Sequence, residues 1–276
     1  MSAERKIWNE SELLVVFRLY CRTPFGRLHQ RNPEIIELAK LIGRTPGAVA
    51  MKACNFASLD PHQQARKIRA LGNVSRADRD LWEAFLADSA SVAQNAEAVY
   101  SSMTGKDVED YLPELDSPIS ESSKKRTAIE QDLGELKIPS GATENVVLTK
   151  TRRVQSFFRS AVLASYDNRC ALTGLAISEL LNACHIIPWS IDEKRRADPS
   201  NGICLNALHD RAFDRGLISF DESLRLIVSS KIITTDECDL HRSQLAEQSG
   251  RPLRLPERFQ PDKSALKYHR SHIYRP

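Results

Sequence analysis

The chain has 276 residues, of which 41% are hydrophobic and 27% charged, so it carries enough apolar material for an ordinary folded core. No apolar run has the length of a membrane-spanning helix, and the polar first residues lack the apolar stretch of a secretory signal. Six scattered cysteines without a C-x-x-C pair predict reduced thiols and a cytoplasmic protein. We therefore expect that the protein is not a secreted, membrane or fibrous protein.

Charge divides the sequence into three segments. The net charge is +6 over residues 1–80, −8 over 81–149 and +5 over 150–276. Basic segments are typical of proteins that bind polyanions, because phosphate contacts release counterions. Solvated surface charge without any ligand gives the same pattern. Charge alone leaves both interpretations open.

The acidic middle segment has the composition of a connecting region. Ser, Ala, Asp and Glu dominate it, and Pro113 and Pro118 interrupt it, which is typical of a linker or of a marginal helix followed by coil. We therefore predict a helical domain over residues 1–87, an acidic connecting segment over 88–145 and a second domain over 146–276.

Three helices with one apolar face each are predicted in the first domain. Asn9 or Ser11 caps the first helix, and Asn32-Pro33 begins the second. Gly43 ends the second helix, and Thr45-Pro46 begins the third directly afterwards. The predicted apolar faces consist of Leu13, Phe17 and Tyr20, of Ile35, Leu38, Ala39 and Ile42, and of Val49, Ala53 and Phe56.

The short turn between the second and third helices resembles the helix-turn-helix of Myb-like or winged DNA-binding proteins. In such proteins the helix after the turn enters the DNA major groove. A polar stripe beside the apolar face then predicts DNA contacts by Arg44, Lys52 and Asn55. A plain three-helix bundle whose third helix contacts no ligand is the alternative.

The second domain is predicted to combine helices with short strands, which gives the whole chain an α+β class. An amphipathic helix over residues 152–166 precedes a strand over 180–187. After a polar loop, a second strand over 202–205 leads into a helix capped by Asn206, so that a compact β-β-α unit results. A β-hairpin and a last helix are predicted at residues 217–228 and 263–272.

Three polar residues mark this β-β-α unit. His185 ends the first strand, Asn201 precedes the second, and His209 lies on the helix. Together with Cys170-Ala-Leu-Thr-Gly, Cys184-His-Ile-Ile-Pro-Trp and the segment from Asn201 to Gly216, they resemble the HNH endonucleases, whose fold is the ββα-metal finger. The flanking helix and the tail Leu255-Pro-Glu-Arg-Phe-Gln-Pro are similar to the restriction-type branch of that family.

The resemblance implies a role for each of these residues. His185 is implied as the general base, since a neutral imidazole can deprotonate water near neutral pH. Asn201 is implied to hold the loop or to orient the base, and His209 to bind a single divalent metal ion. The metal is expected to be Mg²⁺ or Mn²⁺, with Ni²⁺ or Zn²⁺ as further candidates. Arg211 and Arg215 on the same helix are predicted to contact DNA phosphates.

Two departures from the family pattern affect the expected metal sites. Cys184 stands directly before the base, where many relatives have an Asp or His ligand, and a thiol is a poor ligand for a hard cation. We therefore expect the second ligand elsewhere and select Asp214. The segment at Cys170 has a single sulfur where some relatives have paired cysteines, so no structural zinc is predicted.

The sequence thus predicts a restriction-type DNA endonuclease without a membrane segment. Double-stranded DNA is the expected partner, and a homodimer is expected because one HNH site cuts one strand. A BisI-type enzyme that requires methylated cytosines is a sub-case that the sequence does not decide. A DNA-binding regulator with an inactive HNH-like domain is one alternative, favoured by Cys184, and a nuclease acting on RNA is another.

Overall fold

The architecture is taken from a computed structural model, which describes residues 7–65, 74–106, 142–233 and 238–276. The buried side chains form two apolar clusters. The first core consists mainly of residues from the N-terminal helices, and the second core of residues from the C-terminal strands and helices. Within these ranges, no helix has the length and hydropathy required to cross a bilayer.

The N-terminal part is helical, as predicted. Asn9, Asn32 and Thr45 cap the first three helices, each with its side chain accepting a bond from a backbone N–H of the first turn. Gly43, with φ of 64°, ends the second helix in the left-handed conformation that favours glycine. The helices are α1 (Glu10–Arg22), α2 (Pro33–Leu41), α3 (Pro46–Ala57), α4 (Pro61–Ala65), α5 (Arg76–Ala87) and α6 (Ser89–Thr104).

Helix α6 lies in the segment for which the sequence predicted a connecting region from residue 88 onward. Its apolar residues enter the first core, and its buried Glu97 forms ion pairs with Arg18 and Arg22 of α1 at 2.9 and 3.0 Å. The residues of α6 therefore pack with the first domain. Residues 107–141 of the predicted connecting segment lie outside the described residues.

The C-terminal part contains the predicted β-β-α unit. Strands β1 and β2 are antiparallel, with His185 opposite Gly202, and Asn206 caps the following helix by accepting a bond from the His209 N–H. The strands β3 and β4 form the predicted hairpin. The elements are α7 (Ala142–Ser165), β1 (Leu181–His185), β2 (Gly202–Asn206), α8 (Ala207–Asp214), β3 (Ile218–Phe220), β4 (Leu226–Val228), α9 (Ser230–Ile233), α10 (Asp239–Gln244) and α11 (Lys263–His272).

The two parts share the first core. Phe157 of α7, Ala197 of the loop between β1 and β2, and Phe259 near the C-terminus all lie in it. The buried Arg258 guanidinium donates to the Tyr20 and Cys21 carbonyls, which belong to the last turn of α1 and have no i+4 N–H partner within the helix. Residues on both sides of the predicted domain boundary at residue 146 therefore pack into the same apolar core.

Candidate active site

His185 lies at the end of β1, in an aromatic environment. Its ring stacks on Phe158 of α7 with 3.6 Å between the centroids, and Trp189 contacts it edge-on at 5.7 Å. Its Nε2 is 3.0 Å from the carbonyl oxygen of Arg196. Since a carbonyl can only accept, Nε2 must carry the proton, and Nδ1 is left with a lone pair.

The surroundings of His185 also keep its ring neutral. Burial lowers its pKa to about 4, and the charge of Arg196 acts in the same direction, against the opposing effect of the bond to the Arg196 carbonyl. At pH 7 the imidazole is therefore unprotonated on Nδ1. This is the form that can accept a proton from water.

Asn201 fixes the chain directly after His185. It is 1% exposed, and its side-chain amide accepts from the Ile187 N–H at 2.9 Å and donates to the Ile187 carbonyl at 3.1 Å. Its backbone carbonyl also accepts from the Ile186 N–H at 2.9 Å. These three bonds join the two ends of the loop between β1 and β2 beside the histidine.

A group of possible metal ligands lies between β1 and α8. One ligand atom each from Cys184, Asp210 and Asp214 lies within 4.8 Å of the other two. Asp210 and Asp214 are four residues apart and thus share one face of α8. The Cys184 thiol donates to Asp214 Oδ1 at 3.5 Å, and the Asn182 amide donates to Asp210 Oδ2 at 2.8 Å.

The electrostatics of this group favour a cation. Burial and the charge of Asp210 raise the pKa of Asp214 to about 6. Burial and the two neighbouring carboxylates hold the pKa of the Cys184 thiol well above its usual value. Two crowded carboxylates and one sulfur fit a divalent ion, and the sulfur favours Mn²⁺ or Zn²⁺ over the harder Mg²⁺.

The structure does not bring His209 to this group, although the sequence predicted it as the metal ligand. His209 is fully buried, and its Nε2 is 2.7 Å from the Gln244 carbonyl. One residue along a helix turns the side chain by about 100°, so only Asp210 and Asp214 face Cys184. Asp210 is the residue that sequence reasoning missed, and its spacing of four from Asp214 is the signal that could have found it.

The predicted polar stripe of α3 is turned inward. Lys52 is 6% exposed and its Nζ lies 2.8 Å from Asp78 Oδ1, while Asn55 is 5% exposed. Arg44 pairs with Glu12 at 2.7 Å and covers the ring of Trp8. The predicted exposed stripe for DNA contacts is therefore wrong, because the Arg44 and Lys52 side chains are paired with Glu12 and Asp78 inside the domain.

Two basic residues at the C-terminal end of α8 remain at the surface, Arg211 within the helix and Arg215 directly after it. Arg211 and Arg215 are exposed, and both charges lower the pKa of Asp214, so they lie near the candidate metal ligands. Cationic side chains beside such a group can meet a phosphate. The structure thus leaves the predicted phosphate contacts sterically open.

Comparison with known proteins gives a match in this region. Residues 170–221 match the family model described as HNH endonuclease. The matched segment contains β1, β2, α8 and β3, together with His185, Asn201 and the three candidate metal ligands. No curated protein sequence matches the chain.

Proposed function

Since residues 170–221 belong to the HNH endonuclease family, we propose that this chain is a DNA endonuclease that hydrolyses phosphodiester bonds with one divalent metal ion. The observation that carries the proposal is the position of His185. Its Nε2–H is held by the Arg196 carbonyl, its Nδ1 is free to accept a proton, and its neighbour Cys184 belongs to the group of candidate metal ligands.

The proposed mechanism follows from these contacts. Nδ1 of His185 takes a proton from the water that attacks the phosphorus, while the Arg196 carbonyl stabilises the resulting imidazolium. Asn201 keeps the loop in place during this transfer. Asp210, Asp214 and Cys184 would hold the metal ion, which when bound supplies positive charge to the phosphate and the leaving oxygen.

Contacts with DNA are proposed for the exposed basic residues at the C-terminal end of α8. Arg211 and Arg215 lie beside the candidate metal ligands, where the scissile phosphate must enter. We assign no base contact to Arg44, Lys52 or Asn55, because their side chains are committed to the interior.

A restriction role is the biological form of this proposal, with a requirement for methylated cytosine as a sub-case. One site of this kind cuts one strand, so cleavage of both strands needs two copies of the chain or two binding events. A homodimer on double-stranded DNA is the arrangement that we propose.

Cys184 favours one alternative function. A thiol with a strongly raised pKa replaces a hard oxygen ligand, and a metal site weakened in this way would suit a DNA-binding regulator with an inactive HNH-like domain.

Plasmid cleavage separates the two functions. Methylated and unmethylated supercoiled plasmids are incubated with the protein and Mg²⁺ or Mn²⁺, next to His185→Ala and the matched control His272→Ala, an exposed histidine of α11. We expect cutting that needs the metal, falls at least about 100-fold in His185→Ala and persists in the control. Binding without cutting on every substrate would support the regulator. Degradation of RNA alone would show that RNA, and not DNA, is the substrate.

A further inference from the structure

The loop between β1 and β2 connects the candidate base to the N-terminal core. The loop carries the Arg196 carbonyl, which accepts the Nε2–H of His185 at 3.0 Å. Two residues earlier, the carbonyl of Lys194 points to the first turn of α6. The same short stretch of backbone therefore contacts the histidine and the first domain.

Helix α6 binds this loop with two donors. The Ser89 hydroxyl donates to the Lys194 carbonyl at 2.8 Å, and the Ala90 N–H donates to the same oxygen at 3.2 Å. The first N–H groups of a helix have no partner inside it, so the Lys194 carbonyl satisfies one that would otherwise stay open. Ser89 is 1% exposed, which protects this bond from water.

Other parts of the loop are seated on the same core. Ala197 is fully buried within it, and Trp189 packs against it. The Arg196 side chain donates from Nε to the Trp189 carbonyl at 2.9 Å, and its guanidinium covers the Trp189 ring at 4.8 Å. Trp189 thus restrains Arg196 through both its carbonyl and its ring, and the Arg196 carbonyl belongs to a fixed residue.

We propose that Ser89 is a positioning residue for His185. By holding the Lys194 carbonyl, it fixes the loop and with it the Arg196 carbonyl that binds the Nε2–H of the histidine. The effect on catalysis rests on the function proposed above, whereas the effect on the histidine proton does not. The N-terminal domain therefore takes part in preparing the base.

The test uses a signal of the histidine itself. In the ¹⁵N-labelled full-length protein, we expect the His185 Nε2–H to exchange slowly with water because it is bonded to Arg196. Ser89→Ala should speed this exchange about 10-fold, as expected for the loss of one hydrogen bond. Ser89→Thr keeps the hydroxyl and should restore slow exchange. Ser91→Ala, an exposed serine in the same turn of α6, is the matched control.

Cleavage kinetics give the second measurement. In Ser89→Ala we expect kcat to fall about 3- to 10-fold while KM changes less than about 2-fold, because the base and not the binding surface is disturbed. Circular dichroism confirms that each variant is folded. Unchanged exchange in Ser89→Ala, or free exchange in the original protein, would overturn the proposal. A protein that exchanges as expected yet cuts no DNA would refute only the proposed function.

Discussion

At the scale of single residues, two neighbouring side chains of α8 point to different surroundings. His209 faces the second core and the Gln244 carbonyl, whereas Asp210 faces Cys184 and Asp214. Residue type alone favours the histidine, since imidazole is a common metal ligand. The His209 side chain, however, points away from Cys184 and Asp214, so it is not a candidate metal ligand.

A metal-binding experiment follows from this geometry. Asp210→Asn should weaken Mn²⁺ binding about 100-fold, because it removes a charged ligand from the group of three. Isothermal titration calorimetry measures the affinity. His209→Gln is the control and should bind Mn²⁺ like the original protein, although its folded state is less stable. Equal losses in both variants would contradict the assignment.

A second buried histidine makes stability depend on pH. His269 is 1% exposed, and burial lowers its pKa to about 4, against the opposing effect of its bond to the Phe213 carbonyl. The unfolded chain protonates near pH 6.5, so it binds the proton more tightly than the folded state. The contribution of His269 to the free energy of unfolding is therefore fully present above pH 6.5. It is lost as the pH falls towards 4, by up to about 3 kcal/mol.

Urea unfolding between pH 4 and pH 7 measures this loss. His269→Gln should lose less stability over the interval than the original protein, because the glutamine does not titrate. His272→Gln, which changes an exposed histidine of the same helix, should follow the original curve. Parallel curves for all three proteins would show that His269 does not carry the effect.

At the scale of elements, β2 crosses α7 at very short range. A Cβ on Gly202 would lie 2.5 Å from Val162 Cγ2 and 2.8 Å from the Phe158 ring, the ring on which His185 stacks. We expect Gly202→Ala to lower the free energy of unfolding by about 1–3 kcal/mol, since the core must move to admit the methyl group. Gly26→Ala, where nothing lies within 4 Å, should leave it nearly unchanged in chemical denaturation.

Sequence pattern was sufficient for the elements themselves. Caps at Asn32, Thr45 and Asn206 and the apolar spacing of α1 to α3 depend on neighbours within a few residues, and the structure confirms them. The burial of Lys52 was not predictable in this way. Its partner Asp78 is 26 residues away, on a helix whose packing no local spacing reveals.

The same difference applies to the candidate site. His185 at the end of β1 and Asn201 directly before β2 were predicted as site residues because their segments resemble the HNH motif. The contact between Ser89 and Lys194 joins residues 105 positions apart, and neither residue type suggests a role near a base. Distant backbone contacts of this kind depend on tertiary packing and leave no periodic mark in the sequence.

At the scale of the whole molecule, the segment around Arg258 and Phe259 has a practical consequence for engineering. These residues follow the strands of the C-terminal part, yet Arg258 donates to carbonyls in the last turn of α1, and the Phe259 ring stacks on Trp82 with 6.0 Å between the centroids. A chimera that grafts only the first hundred residues onto another nuclease would leave the α1 carbonyls and an aromatic surface open to water. The smallest transplantable N-terminal unit must therefore be assembled from both ends of the polypeptide.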